Sequence, residues 1–254
     1  MRADDPLYPQ KLLQQGFADP LWVAGDASLL SAPSVAVIGS RQVTSHPDLE
    51  RYVADRAAAL AWVATKASLV DVSGLAYGCD IIGERAFVRA GGRCVSVLAA
   101  GLDQPVYPAA NRSFLAESLR RGSCVVSQFA PGTRASRQNF VIRDRLQALL
   151  ADSVFALAFG SHSGTRHTVD AALSFGKRIG VLNPDSLVAT GADPEVFSGN
   201  VELLAAGQAV ADRIPRAWSV PPSGVLFSQK KTALNASWYS ALFSSFSSHS
   251  YQSL

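Results

Sequence analysis

Three short loops of small and polar residues could bind phosphate groups, and they lie at 39–41, 73–80 and 160–165. Their glycines let a ligand approach the backbone, their hydroxyl groups can donate hydrogen bonds, and the arginine of the first loop can hold a phosphate with two parallel N–H donors. One such loop is often only a tight turn, whereas three together predict a groove of donors. The residues assigned to this groove are Gly39, Ser40, Arg41, Ser73, Gly74, Gly78, Ser161, Ser163, Gly164 and Thr165.

A fourth segment, 139–145, places Phe140 beside Arg143 and Arg145. An aromatic ring next to basic side chains is typical of proteins that bind single-stranded nucleic acid, because bases stack on the ring while the arginines meet phosphates. The alternative is that the phenylalanine belongs to the core and that the arginines pair with acids elsewhere in the protein.

Candidates for catalysis are few. His162 and His167 flank the third loop and could act as an acid or a base, but contact with phosphate or solvent is the more common role at such a position. Asp80 follows a glycine turn, where an aspartate more often caps a helix. No Ser–His–Asp order, paired carboxylates or metal-ligand spacing is present, so the sequence predicts no catalytic residue, no metal and no cofactor.

The elements before these loops follow a repeating order of strand and helix. Short β-branched runs predict strands at 35–38, 68–72, 94–98, 124–127, 154–158 and 178–182. Longer patterns between them predict helices at 47–63, 81–90, 110–121, 141–150 and 165–175. This alternation predicts a Rossmann-like, doubly wound α/β fold: a mostly parallel sheet with helices on both faces and ligands at the carboxyl ends of its strands.

Composition limits the remaining possibilities. Of the 254 residues, 48% are hydrophobic and 17% are charged, which is typical of a folded globular chain. No apolar run approaches the ~20 residues of a membrane helix, and no signal core follows Met1, so we expect a cytoplasmic protein without a membrane partner. Three widely spaced cysteines do not indicate a disulfide framework.

Three regions are predicted from these patterns. Residues 1–33 should form a short helical lead-in that packs against the sheet, and residues 34–212 should form the Rossmann-like domain. Residues 213–254 are rich in serine and aromatic residues and too short for a further domain, so they could be a docked peptide, an oligomer contact or a disordered end.

Taken in order, the sequence blocks resemble the DNA-processing family known as DprA or Smf. The resemblance is carried by the Gly-Ser-Arg loop, Ser73 to Asp80, the Gly-Leu-Asp and Tyr-Pro run at 101–108, and Phe140 to Arg145. It implies a Rossmann-like domain that binds single-stranded DNA and passes it to the RecA recombinase, commonly as a dimer, in recombination or DNA uptake. It also implies that Arg41 binds DNA phosphate, with Arg143 and Arg145 beside it, and that Phe140 stacks on a base.

This chain also departs from the family pattern. Glu84 stands where members usually have histidine, and Asp144 stands where they have asparagine, which sets a negative charge at the predicted phosphate site. The tail at 213–254 stands where a winged-helix module would follow, so we expect no such C-terminal domain. These features indicate a divergent member.

Two alternatives therefore stay open. The first is a regulator of the wider SLOG group that binds or senses a nucleotide, with an antiphage effector or a toxin as partner. The second is a phosphoribohydrolase of the LOG type, but Thr168 occupies the position of that family's catalytic glutamate, which leaves the reaction without its acid–base group.

Overall fold

The computed structural model describes residues 1–212, so the predicted tail at 213–254 lies outside the described residues. The strands are β1 (Trp22–Gly25), β2 (Ser34–Ile38), β3 (Val70–Ser73), β4 (Cys94–Val97), β5 (Cys124–Ser127), β6 (Ser153–Ala156), β7 (Arg178–Val181) and β8 (Val210–Ala211). The α-helices are α1 (Gln10–Leu13), α2 (Pro47–Lys66), α3 (Cys79–Arg89), α4 (Arg112–Arg120), α5 (Arg137–Leu150), α6 (Thr165–Ser174), α7 (Pro184–Val188) and α8 (Ser198–Ala205). Short 3₁₀ helices occupy Ala27–Ser31, Arg41–Ser45, Ala109–Asn111 and Pro194–Phe197.

All eight strands form one sheet in the order β1-β5-β4-β3-β2-β6-β7-β8. Strand β1 runs antiparallel to β5, and every other neighbouring pair is parallel. The chain winds outward from β2 through β3, β4 and β5, and then returns to the other side of β2 with β6 and β7. The carboxyl ends of β2 and β6 therefore flank the switch point, where such sheets open a crevice for ligands. The predicted fold class is confirmed.

Both faces of the central strand are covered by helices. Val35 and Val37 of β2 point into the core on the face of α2 and α3, whereas Ala36 and Ile38 point into the core on the face of α5 and α6. All four side chains are at most 2% exposed. Burial on both faces explains why this strand reads in the sequence as a continuous apolar run rather than an alternating one.

The N-terminal segment does more than pack against the sheet. It contains helix α1 and the 3₁₀ helix Ala27–Ser31, but it also supplies strand β1, which extends the sheet beyond β5. The segment is held by the Tyr8 hydroxyl, which donates a hydrogen bond to the Asp19 carbonyl oxygen (2.8 Å). The sequence patterns did not predict β1 because an edge strand of four half-buried or exposed residues has no buried alternation to detect.

Two predicted boundaries also moved for local reasons. Strand β3 begins at Val70 rather than at 68, because Ser68 has a positive φ (59°) and ends the preceding turn. Helix α5 begins four residues early, at Arg137, because the Ser136 hydroxyl accepts the backbone N–H of Asn139 (3.1 Å) and caps it. No helix among residues 1–212 is long and apolar enough to cross a bilayer.

Three carboxyl groups, Asp71, Asp80 and Glu84, are buried among β3, α3 and β4. One Asp71 oxygen accepts the Val37 N–H (3.1 Å), and one Glu84 oxygen accepts the Ser96 hydroxyl (3.1 Å). The second oxygen of each has no hydrogen-bond partner within the described part of the chain.

Burial dominates the ionisation of these groups. It raises the pKa of Glu84 to about 8, with a further contribution from the charge of Asp80. It also raises the pKa of Asp71 well above its ordinary value, and that of Asp80 to about 6 although Arg143 opposes the shift. Glu84 therefore carries a proton at neutral pH.

Glu84→Gln should stabilise the protein in alkaline solution and not in acid. The folded-state pKa of about 8 lies above the ordinary 4.5, so the folded protein binds the extra proton and loses stability as pH rises through this window. Glutamine keeps an acceptor for Ser96 and carries no charge. We expect the free energy of unfolding to rise by roughly 4 kcal/mol at pH 8.5 and by less than about 1 kcal/mol at pH 5, as measured by urea denaturation. The exposed Glu195→Gln is the control, and an equal gain at both pH values would contradict the assignment.

Candidate nucleic-acid interface

The first loop leaves β2 at the switch point, and its backbone is fixed by close packing. A side chain at Gly39 would meet Cys79 Sγ at 2.5 Å and the Ala158 carbonyl oxygen at 2.8 Å, so glycine is required there. The Ser40 N–H donates to the Ala158 carbonyl oxygen (2.7 Å), and its hydroxyl oxygen accepts the Gln42 N–H (3.0 Å). These two polar groups of Ser40 are thus used within the protein, while Arg41 is exposed at the mouth of the crevice.

The second loop is joined to the first. Gly78 has a φ of +75°, and a side chain there would lie 2.4 Å from the Ser40 carbonyl oxygen. That same oxygen accepts the Cys79 N–H (3.3 Å), so the start of α3 is bonded to the loop after β2. Ser73 is fully buried, and its hydroxyl donates to the Val37 carbonyl oxygen (3.3 Å). In this second loop, therefore, Ser73 and Gly78 act in packing.

The Asp80 side chain stabilises the second loop through hydrogen bonds to its backbone. Its carboxylate accepts the backbone N–H groups of Gly74 and Ala76, which lower its pKa against the larger effect of burial. The helix α3 begins after Gly78 without a side-chain cap. The expectation that Asp80 caps a helix is therefore wrong in detail: it caps the loop that precedes the helix.

The third loop precedes α6 on the other side of the switch point. The Ser161 N–H donates to the Ser198 hydroxyl (2.8 Å), and the Ser163 N–H donates to the Gly160 carbonyl oxygen (2.9 Å). Gly164 is exposed with open space around it, and Thr165 begins the helix. Among the three loops, this one presents the most accessible backbone to a ligand.

Arg143 lies inside the protein rather than on its surface. Its side chain is 5% exposed, and Nη1 lies 2.7 Å from Gln147 Oε1, 3.4 Å from Asp144 Oδ1 and 4.0 Å from Asp80 Oδ2. A side chain at Gly74 would fall 1.5 Å from this nitrogen, so the guanidinium occupies the space that glycine leaves. For Arg143, the structure matches the alternative in which the arginine pairs with acids. Its contact with phosphate stays a prediction.

Arg145 points to a different region. Its guanidinium lies over the ring of Phe175, 5.2 Å from the centroid, just after the end of α6. The third loop lies at the other end of α6, about 15 Å away at 1.5 Å per residue. The structure thus does not bring Arg145 together with the loop at 160–165, and its predicted contact with DNA is likewise untested.

Phe140 is half-buried and takes part in two ring contacts. The Arg143 guanidinium lies 5.9 Å from its centroid, and the ring of Tyr107 lies 5.5 Å away at a tilt of 56°. Tyr107 is 54% exposed and was not among the predicted site residues. Tyr77, also exposed, follows β3 at the same edge of the sheet. The signal that could have revealed both is an aromatic residue inside a polar loop that follows a buried strand.

Asp144 brings a negative charge into this cluster. Burial raises its pKa, whereas the positive charges of Arg143, His167 and Arg41 act to lower it. The Asp144 side chain is 14% exposed, so its carboxylate is largely hidden from solvent. Asp144, where the sequence departs from the family pattern, is therefore close enough to the exposed Arg41 for the two charges to interact.

The residues considered for catalysis are not assembled into a catalytic group. His162 and His167 are exposed, and Thr168 is 3% exposed in α6. Within residues 1–212, no cluster of three His, Cys, Asp or Glu side chains could hold a metal ion.

Comparison with known proteins agrees with the motifs. The family model for DNA recombination-mediator protein A matches residues 1–214. Protein Smf of Synechocystis is 30% identical over 215 residues, covering 82% of this chain and 52% of its own. DNA processing protein DprA of Streptococcus pneumoniae is 30% identical over 161 residues, covering 63% and 53%. This chain spans about half the length of the curated relatives it matches.

Two solved structures share the fold. DNA processing protein A of Helicobacter pylori, described with a single-stranded DNA binding mode, superposes with a TM-score of 0.68 at 25% identity, over 83% of this chain and 93% of that one. The S. pneumoniae DprA structure gives a TM-score of 0.67 at 27% identity, over 83% and 69%. The resemblance to DprA and Smf is confirmed, and the chain belongs to the DNA recombination-mediator protein A family.

Proposed function

We propose that this protein binds single-stranded DNA in the crevice between the loops after β2 and β6, and that it acts in DNA processing by binding rather than by chemistry. The observation that carries the proposal is the position of Arg41. This exposed cation stands at the switch point of the sheet, on a loop that packs closely on its neighbours because Gly39 and Gly78 have no side chains. The H. pylori relative with the same fold binds single-stranded DNA, which supports the same class of ligand here.

The geometry suits a phosphate backbone. The exposed loop before α6 lies across the crevice from Arg41, and backbone N–H groups at the start of a helix favour anions. Phe140 and Tyr107 add aromatic surface, and bases of a single strand can stack on such rings. A duplex keeps its bases stacked inside, so it would gain nothing from these rings.

We also propose that the protein catalyses no reaction on the bound strand. A phosphoribohydrolase of the LOG type needs a carboxylate where this chain has the buried Thr168. From the family resemblance alone, we further propose a cytoplasmic location, a homodimer and RecA as the recipient of the bound strand.

A second candidate is a regulator that binds a free nucleotide, and Asp144 is the observation that favours it. Its carboxylate lies among the positive charges that a DNA strand would need. A mononucleotide could avoid this group more easily than a continuous backbone can. Calorimetry with mono- and dinucleotides distinguishes the two, because tight nucleotide binding without DNA affinity would favour the regulator.

Arg41→Ala should weaken the binding of single-stranded DNA about fivefold to tenfold at low salt, because it removes one phosphate contact. It should also make the slope of log affinity against log salt concentration shallower by about 0.7. Fluorescence anisotropy with a labelled oligonucleotide at several salt concentrations measures both. Arg51→Ala, which removes an exposed arginine from α2, is the matched control. If the two variants behave alike, the crevice is not the binding site.

Asp144→Asn should strengthen DNA binding at pH 8 by about fivefold at low salt, since it removes a negative charge near the phosphates. The gain should shrink as pH falls, because the raised pKa means that the wild-type carboxyl itself takes up a proton and loses its repulsion. Anisotropy titrations at pH 5.5 and pH 8 test this. Asp48→Asn on α2 serves as control, and an unchanged affinity at pH 8 would place Asp144 outside the path of the strand.

A further inference from the structure

We propose that Tyr107 is a base-stacking residue, and that its exposed ring and Phe140 together form the position where the crevice holds an unpaired nucleobase. This inference rests on the proposed function. It adds a second binding residue and an orientation of the nucleotide, with its phosphate at Arg41 and its base at Tyr107. It follows from four observations about Tyr107 and the residues around it.

First, the Tyr107 ring is exposed although an apolar partner lies beside it. More than half of the residue (54%) is accessible, while its ring packs against Phe140 with the centroids 5.5 Å apart. A tilted arrangement at this distance is a favourable geometry for an aromatic pair. One part of the ring is thereby anchored on the protein, and the rest is left open to solvent and to a ligand.

Second, the loop that carries Tyr107 is tied to its neighbours at several points. Both Asp103 oxygens accept the Gly132 N–H at 2.9 Å, and the Gly101 N–H donates to the Thr133 carbonyl oxygen (2.9 Å). On the other side, the buried Asn111 amide donates to the Leu75 carbonyl oxygen (2.9 Å). Because these hydrogen bonds hold the loop on both sides of Tyr107, a base that stacks on the ring meets less entropic cost from ordering the loop.

Third, a continuous series of neighbours connects this ring to the phosphate end of the crevice. Phe140 touches Tyr107 and lies under the Arg143 guanidinium, which is 3.4 Å from Asp144. Asp144 in turn is within electrostatic reach of Arg41. The aromatic pair and the exposed cation are thus linked through the buried Arg143 and the partly buried Asp144.

Fourth, exposed aliphatic side chains follow Phe140 in the chain. Val141 and Ile142, in the first turns of α5, are 45% and 36% exposed next to Phe140. An apolar surface of this kind beside a cationic groove matches the two faces of an unstacked nucleotide, whose base is flat and apolar and whose phosphate is charged.

The test compares two labelled strands of equal length, a thymidine oligonucleotide and an abasic strand with the same phosphates. Wild-type protein should prefer the strand with bases. Tyr107→Ala should weaken that binding about tenfold and leave the abasic strand unaffected, because stacking on one ring contributes a factor of this size. Tyr107→Phe, the matched control, should bind both strands within twofold of wild type.

Tyr107→Leu covers the possibility that alanine disturbs the fold. It keeps apolar bulk against Phe140 and lacks the aromatic face, so it should lose the same preference while its thermal melting stays close to that of wild type. Sedimentation at the assay concentration shows whether the substitutions change the oligomeric state.

Several results would overturn the proposal. An unchanged preference in Tyr107→Ala, or an equal loss on both strands, would show that the ring does not meet a base. A shift in oligomeric state would mean that a second copy of the chain covers Tyr107. If wild type binds both strands equally and Arg41→Ala weakens both, the inference fails while the proposed function stands. If wild type binds neither strand, both fail.

Discussion

The position of the Arg143 guanidinium determines much of what lies around it. Its Nη1 occupies the space left by the missing side chain of Gly74, 1.5 Å from where a Cβ would be, and is bracketed by Asp80, Asp144 and Gln147. A buried cation without partners would cost several kcal/mol, so these acceptors are needed together. Because Asp80 also accepts N–H groups of the loop after β3, and Gln147 donates to the Val72 carbonyl oxygen, the same contacts fasten α5 to β3 and fix the edge of the crevice.

This internal pairing explains why Arg143 and Arg41 differ in their capacity to bind a phosphate. A guanidinium that is already held by two carboxylates has little attraction left for a phosphate, whereas Arg41 stands at the switch point with its side chain exposed. Arg143 instead supports Phe140 from behind, since its charge lies near the face of that ring. In the segment at 140–145, the structure thus places one half-buried ring, one buried guanidinium and one arginine near the far end of α6, and the contacts of these side chains with DNA stay predictions.

The sequence predicted those parts of the structure that depend on neighbours in the chain. The buried run of β2, the loops after it and the alternation of strand and helix all follow from local periodicity and from where glycine is placed. The sequence left open whether Arg143 meets phosphate or pairs with acids, because its surroundings depend on Gly74 and Asp80, more than sixty positions away. Strand β1 was missed for a related reason: its pairing with β5 comes from the sheet edge it meets and not from its own pattern. Tyr107 belonged to a recognised motif, but only the structure places its ring against Phe140.

The two departures from the family pattern, Glu84 and Asp144, have different consequences. Glu84 is fully buried, and burial keeps it protonated near neutral pH, so it adds little charge at the surface and its effect is on stability. Asp144 retains some exposure and faces Arg41 and His167, so its charge offsets theirs where a ligand would enter. Under the proposed function, a strand would meet a weakened phosphate site and would draw more of its affinity from its bases. The Tyr107 ring, which is 54% exposed and packs against Phe140, offers the aromatic surface for such binding.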